Sequence, residues 1–512
     1  MTRSQKFMYS TITSAIYQAV VMLVGFILPK VILNCYGSEI NGVVTSITQF
    51  VSYLALVEVG LGDAAIYALY KPLADNDQQK ISEIMSATNH FYIKSGILFV
   101  LLLLGLAGVY PLFVKADIFS SMELFILILI LGINSVLDFF TLGKYRAILS
   151  ADQKVYILSF ASIIYYILNT TIIVFLSYKK MSIITVRAAA MSAVFIRTVV
   201  LLVYCHKNYP FLNYTAVPDN EALNKRWDVL LLQILGAIQK GLPVILATVY
   251  TSFMEVSIYS VYNMVMIGIT GVLDIFISGL FTSFGNILAK EEKENLKKVY
   301  TDFEYTYYAL ITVIYSVAFL LIIPFVRIYT RGVNDIAYEN IILGSLFVLN
   351  GYLYNLKTPQ GMLVKSAGLY KETRCQTTIQ ALILAIFGVI LGSKYGLIGI
   401  MIASCMSNIY RDFDLWFFIP KYVTKLSVIY TLKRVMLSLM ALFFSVGGIY
   451  MFLNKMGMVI GNWGVWLAWA ISMVIICGLI VGIISWIFDR KALVSSVKRT
   501  GLMLHIGKGE GK

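Results

Sequence analysis

Apolar residues run through this chain in blocks of about twenty, each closed by a short cluster of charged residues, Gly, Pro or Asn, and most blocks carry no polar face. A helix rising 1.5 Å per residue needs about 20 apolar residues to cross about 30 Å of hydrocarbon. Fourteen stretches read as such helices, at approximately 11–33, 40–61, 89–110, 124–142, 155–177, 183–205, 229–250, 257–287, 305–328, 341–356, 377–393, 397–419, 432–453 and 463–487. The fold class this predicts is all-α, a polytopic membrane protein. Fourteen spans of about 22 residues leave about 200 positions for all connections, too few for a folded ATPase, an extracellular enzyme domain or a DNA-binding module.

Composition agrees. Of 512 residues, 59% are hydrophobic, 14% aromatic and 13% charged, where a soluble protein carries about 25% charge. Lys and Arg total 41 against 27 Asp and Glu, a net charge of +14. In a soluble chain that excess would suggest nucleic acid, but in a membrane protein basic residues gather in cytoplasmic loops. With both termini cytoplasmic, the inner loops and tails hold about 28 Lys and Arg, the outer loops about 8 and the spans about 5, so this topology is expected and no nucleic-acid partner is. The cysteines Cys35, Cys205, Cys375, Cys405 and Cys477 are scattered, which indicates neither a disulfide framework nor a zinc site. The apolar run 12–33 is too long for a signal-peptide core and reads as the first span. Residues 289–304, with Lys293, Leu296, Lys297, Val299 and Tyr300 at helical spacing, predict an interfacial helix, and the basic tail after Asp489 predicts a disordered end.

Shifting the chain against itself by about 216 positions pairs Glu39 with Glu255, Glu58 with Asp274, Asn134 with Asn350, and Ser150/Ala151 with Ser366/Ala367. Pro111 and Pro324, and Arg197 and Arg411, agree with this shift within a few residues. The pattern predicts two six-helix lobes, 1–206 and 228–422, joined by a cytoplasmic linker 207–227 and followed by two appended helices in 423–488 and a basic tail 489–512. An even number of helices per copy makes the copies parallel, related by a pseudo-twofold along the membrane normal. Two such lobes enclose a cleft suited to alternating access.

Ionisable groups are costly in lipid and usually face a cavity or a partner. Those within or at the ends of the spans are Glu58, Asp63, Asp138, Arg187, Arg197, Lys240, Asp274, Arg411, Asp412 and Asp414. Glu58, Asp63, Asp138 and Asp274 are the candidate ion-coupling carboxylates for H+ or Na+, since a partly buried carboxylate can alternate between protonation states. Lys240, beside Gln239 and some distance into its helix, is a candidate anion contact. Arg197, Arg411, Asp412 and Asp414 also read as ion pairs between helices, and Asn134 and Asn350 as interhelical hydrogen-bonding groups. No phosphate-binding loop, HExxH or Asp-rich transferase motif occurs, and His90, His206 and His505 lie near no candidate nucleophile, so neither an enzyme nor direct use of ATP is expected.

Three segments, EVGLGDAAIYALYKPLADND from Glu58, YRAILSADQKVYILS from Tyr145 and KSAGLYKETR from Lys365, together with the two-lobe pattern, resemble the Wzx-type oligosaccharide flippases of the multidrug/oligosaccharidyl-lipid/polysaccharide (MOP) superfamily. The resemblance implies export of undecaprenyl-pyrophosphate-linked oligosaccharide units across the bacterial inner membrane for O-antigen, capsule or exopolysaccharide. Lipid and a polysaccharide polymerase with its chain-length regulator are the further partners it implies, with no cofactor beyond a coupling ion. It also implies a cationic cavity, for which Lys240, Gln239, Arg197, Arg411, Asn134 and Asn350 are the candidate lining residues, with Lys30 and Lys144 near its mouths. The rival readings are a cation-coupled multidrug exporter of the same superfamily and, further off, a membrane polysaccharide polymerase or ligase, which would need larger outer loops.

Overall fold

The computed structural model describes residues 3–58, 61–114, 116, 118–219, 227–290, 293–456 and 460–496. The described residues are helical almost throughout. In order they form α1 (Arg3–Leu54), a 3₁₀ turn (Ala55–Glu58), α2 (Leu61–Asp75), α3 (Gln78–Phe113), α4 (Ser121–Leu137), a π-helical turn (Asp138–Leu142), α5 (Gly143–Ala151), α6 (Val155–Tyr178), α7 (Ile183–Ala190) and α8 (Ser192–Asn208). There follow α9 (Trp227–Tyr250), α10 (Phe253–Ala289), α11 (Lys293–Tyr329), α12 (Ile341–Leu356), α13 (Thr358–Ser366), α14 (Arg374–Ile419), a second π turn (Pro420–Thr424), α15 (Val428–Met456) and α16 (Trp463–Phe488).

Among the described residues, 11 helices are long and apolar enough to cross a bilayer, so this is a multi-pass membrane protein. Two of them are interrupted: α1 at Gly37 (φ 83°) and α14 at Gly396 (φ 55°), backbone conformations that a side chain would strain. The sequence reads each as two spans and adds α12, whose 16 residues fall short of the usual crossing length.

The lipid-facing surface follows directly from the sequence pattern. On α3, Phe99, Leu103 and Ala107 are buried while Leu98, Leu101, Leu102 and Leu104 are exposed. The same helix is apolar all round, and only its contacts decide which stripe faces protein. On α16, Met473, Cys477 and Val481 form the buried stripe at helical spacing.

Helix lengths recur at the shift found in the sequence. The nine-residue α5 and α13 correspond, as do the long helices α3 and α11. The departure is instructive: α10 is one unbroken 37-residue helix, whereas its counterpart, the second part of α1 with α2, is interrupted at Glu58.

Two expectations change. Residues from Lys293 onward are not a separate interfacial helix but the first turns of α11, because no Gly or Pro separates them from the span. Leu296, Val299, Tyr300 and Phe303 are buried and continue the stripe of Tyr307 and Ile311. The connection after α8 is also less free than a linker reading suggests. Ser82 donates to the Phe211 carbonyl at 3.3 Å, Ser86 donates to those of Tyr214 and Ala216 at 2.9 and 2.7 Å, and Lys80 pairs with Asp219 at 2.9 Å. Residues 220–226, and the tail from 497, lie outside the described residues.

The chain forms two compact units, one of Met1–Ser260 with Gly332–Ile336 and the other of Val261–Arg331 with Ala337–Lys512. The core of the first is built on α1 through α8, with Ile47, Leu69, Met85, Tyr92, Leu127 and Ile148 at its centre. The second buries Tyr262, Tyr300, Tyr307, Tyr315, Tyr352 and Phe347 almost completely.

Candidate functional site

In the first unit the two backbone irregularities fall among the charged groups. The 3₁₀ turn ends in Glu58, and the π turn begins with Asp138, where an extra residue per turn redirects side chains. Tyr92, fully buried on α3, donates to Glu58 Oε1 at 3.1 Å, and the Arg146 guanidinium on α5 stands 3.7 Å from the same oxygen. Two glycines make this possible. A Cβ on Gly143 would stand 2.3 Å from the Tyr92 ring, and one on Gly62 would stand 2.9 Å from Arg146 Nη2.

Asp138 pairs with Arg197 on α8, and the Arg197 guanidinium lies over the Tyr165 ring at 4.7 Å. Asn134, one turn before Asp138, donates to the Tyr165 hydroxyl at 3.4 Å, while its side-chain oxygen is buried without a hydrogen-bond partner. Asp138 is held in the fields of Arg197, Glu58 and Arg146 together. Three residues singled out by sequence, Glu58, Asp138 and Arg197, therefore belong to one alternating chain of charge, and Arg146 is the member that joins them.

Below the ends of these spans, Asp152 accepts from Lys6 at 2.8 Å and from Tyr209 at 2.6 Å and pairs with Lys154 at 2.8 Å. Burial pushes its carboxyl up, but the hydrogen bonds from Lys154, Lys6 and Tyr209 outweigh it and hold the pKa below the ordinary carboxylate value.

The second unit holds a polar cluster on α12, α14 and Lys357, the residue that joins α12 to α13. Asn408 donates to Asn350 Oδ1 at 2.9 Å and accepts from Lys357 and, at 3.3 Å, from Gln380. One turn beyond, Asp412 is buried, and neither carboxylate oxygen has a hydrogen-bond partner. Lys357 supplies the opposing positive field. Arg411 instead pairs with Asp414 on its own helix, so this ion pair does not join two helices as the sequence suggested. A further network centres on Glu304 of α11, which is wholly buried and accepts from Tyr300, Gln360, Thr431 and Arg434. Asp274 is exposed on α10.

Lys240 is not drawn into either cluster. It is exposed on α9, beside Gly241, where Gln49 and Tyr53 of α1 pack so closely that a Cβ would meet them at 2.1 and 2.9 Å. Gln239 Nε2 is buried without a partner. The side chain of Asp63 lies outside the described residues. Elsewhere in the first unit, Asn41 donates to Ser257 and Ser260 at 2.7 and 3.0 Å, and the helix of Gly42 approaches the Phe253 carbonyl so closely that a Cβ would stand 1.8 Å from it. A 450 Å³ cavity, lined by Glu39, Phe113, Thr248, Thr251 and Phe253 among others, adjoins this contact.

Sequence reasoning missed Arg146, Tyr92, Lys357, Asn408 and the Glu304–Arg434 pair. Arg146 lies inside YRAILSADQK, one of the segments that carries the family resemblance, but in an inner loop its charge reads as topology. Glu304 sits at a predicted span edge, where a carboxylate usually means exposure.

No family model and no curated protein matches the chain. Solved structures do. The structure of the lipid II flippase MurJ in an inward closed conformation aligns over 94% of this chain and 99% of its own, with a TM-score of 0.71 at 16% identity. An inward-facing MATE-family multidrug resistance transporter of the MOP superfamily aligns over 78% of this chain and 95% of its own, with a TM-score of 0.65 at 14% identity. A MOP-superfamily transporter from Pyrococcus furiosus Vc1, described as having a binding pocket of reversed polarity, aligns over 83% of this chain and 95% of its own, with a TM-score of 0.54 at 15% identity. The chain has the fold of MOP-superfamily transporters.

Proposed function

We propose that this protein is a flippase that carries polyprenyl-pyrophosphate-linked oligosaccharide units across a bacterial cytoplasmic membrane by alternating access, driven by an ion gradient. The observation that carries the reading is the chain of Glu58, Arg146, Asp138 and Arg197 inside a lipid-facing helix bundle of this fold. Ionisable groups kept within a membrane face the bundle interior or a water-filled cavity and mark substrate and ion pathways, which supports this reading.

The substrate class rests on the three resembling sequence segments and on the likeness to a lipid II flippase, which handles a lipid-linked substrate by its name. A hydrophilic sugar head needs a wet path, while the polyprenyl tail can stay in lipid. Lys240, exposed on α9, is available to hold the anionic headgroup, with Gln239 beside it, whereas Arg197 and Arg411 are buried and held by Asp138 and Asp414. Glu58, Asp63, Asp138 and Asp274 are the carboxylates for H+ or Na+ coupling. Both termini are cytoplasmic in this reading, and a polysaccharide polymerase and chain-length regulator act on the exported unit.

The second reading, a cation-coupled multidrug exporter, is favoured by the exposed carboxylate of Asp274 and the likeness to a MATE-family transporter. One experiment separates them. Deleting the protein from its native cell should abolish surface polysaccharide and leave lipid-linked units in the inner leaflet, and Lys240→Ala should reproduce that loss at normal membrane level. Intact polysaccharide with raised sensitivity to cationic dyes would favour the exporter.

A further inference from the structure

We propose that Arg146 is a direct contact for the diphosphate of the substrate, and that Glu58 is the internal anion which the diphosphate displaces from it. This deepens the flippase reading and rests on it.

The arginines within the described clusters divide sharply. Arg197 is 8% exposed, paired with Asp138 and stacked on Tyr165; Arg411 is 8% exposed and paired with Asp414; Arg434 is 4% exposed and paired with Glu304. Each is fixed by a close carboxylate. Arg146 is 48% exposed, and its carboxylate partner stands at 3.7 Å, beyond hydrogen-bond reach. A guanidinium offers five N–H donors in a planar fork matched to two phosphate oxygens, and here that fork has capacity left.

The surroundings suit an exchange of anions. Glu58 has its own partner in Tyr92, so it keeps its position when Arg146 turns away. Gly62 leaves the space in which the guanidinium sits, and it lies in the first turn of the 15-residue α2, where the helix dipole favours negative charge. A bidentate diphosphate outcompetes a carboxylate held at 3.7 Å. The displaced Glu58 charge then faces the incoming anion, while Asp138 and Arg197 neutralise each other. The result is binding strong enough to load and weak enough to release.

This predicts opposite effects from the two partners. Farnesyl diphosphate, a short polyprenyl diphosphate, serves as the probe for the full-length protein in nanodiscs, with farnesol as the uncharged control. Arg146→Ala should weaken diphosphate binding about tenfold, and Arg146→Lys, which keeps the charge without the fork, by less. Glu58→Gln should tighten it about threefold or more, and that gain should vanish in the Arg146→Ala background. Equal affinity in the wild type, Arg146→Ala and Glu58→Gln overturns the role of Arg146 and leaves the flippase reading standing. A folded wild type that binds farnesyl diphosphate no better than farnesol overturns the flippase reading itself. Because Glu58→Gln is expected to gain rather than lose, a misfolded variant cannot imitate the result.

Discussion

Asp335 accepts both the backbone N–H and the hydroxyl of Ser38, each at 2.6 Å, which pins the loop between α11 and α12 to the helix that restarts after Gly37. Gly37 is required here twice over, by its φ of 83° and because a Cβ would stand 3.0 Å from the Asp335 carboxylate. Asp335→Ala removes two charge-assisted hydrogen bonds and should cost about 2 kcal/mol, while Asp335→Asn should cost about half as much. Thermal unfolding in detergent measures both; equal midpoints for wild type and Asp335→Ala would show that the contact does not hold the loop.

The Glu304–Arg434 pair carries the largest expected stability effect. Both side chains are buried, and Glu304 also accepts from Tyr300, Gln360 and Thr431. Glu304→Ala leaves the buried Arg434 guanidinium with Asp489, at 3.7 Å, as its remaining carboxylate and strands the partners of Glu304; it should cost about 3 kcal/mol, enough to deplete folded protein from the membrane. Glu304→Gln preserves part of the network and should be milder. Membrane levels and detergent melting of the two variants check this ranking.

At the ends of the spans, pH enters through Asp152. Its folded pKa lies below the ordinary value, so its contribution is fully present above the unfolded pKa and is lost as pH falls through the folded pKa. Asp152→Asn should therefore destabilise by about 1 kcal/mol at neutral pH, and the difference from wild type should shrink toward zero on acidification. Parallel melting curves from pH 7 down to strongly acidic buffer test the sign. A gap that widened on acidification would contradict it.

Coupling is addressed by the carboxylates. Glu58 stands in the charge chain of the first unit and Asp274 is exposed on α10 in the second. Replacing either by its amide should change the pH or sodium dependence of transport in reconstituted vesicles. If both variants retain the wild-type ion response, these carboxylates serve structure rather than coupling.

Much of the fold was legible in the sequence because lipid imposes a simple rule: every crossing segment must be apolar for about twenty residues and must satisfy its own backbone. The all-helical class follows from that alone. The shift that pairs Glu58 with Asp274 also foreshadows the recurrence of α5 as α13 and of α3 as α11. The site was only half legible. Glu58, Asp138 and Arg197 stand out as charges in apolar runs, but their assembly depends on the 3₁₀ turn at Ala55–Glu58 and the π turn at Asp138–Leu142, which no simple periodicity announces. Arg146, in a segment that reads as an inner loop, and Lys357, just past the end of a span, each have an ordinary topological explanation for a basic residue. Residues 289–304 misled for the opposite reason: their charge suggested a solvated surface helix, and burial of Leu296, Tyr300 and Phe303 makes them part of α11.

The most direct test of the flippase account is translocation by the purified protein in proteoliposomes, using a fluorescent polyprenyl-diphosphate-linked oligosaccharide placed in one leaflet and an impermeant quencher or lectin on the other side. The account predicts protein-dependent movement that responds to a proton or sodium gradient and falls with Arg146→Ala. Folded protein that leaves the labelled lipid in its original leaflet, under either gradient and in either direction, would contradict it.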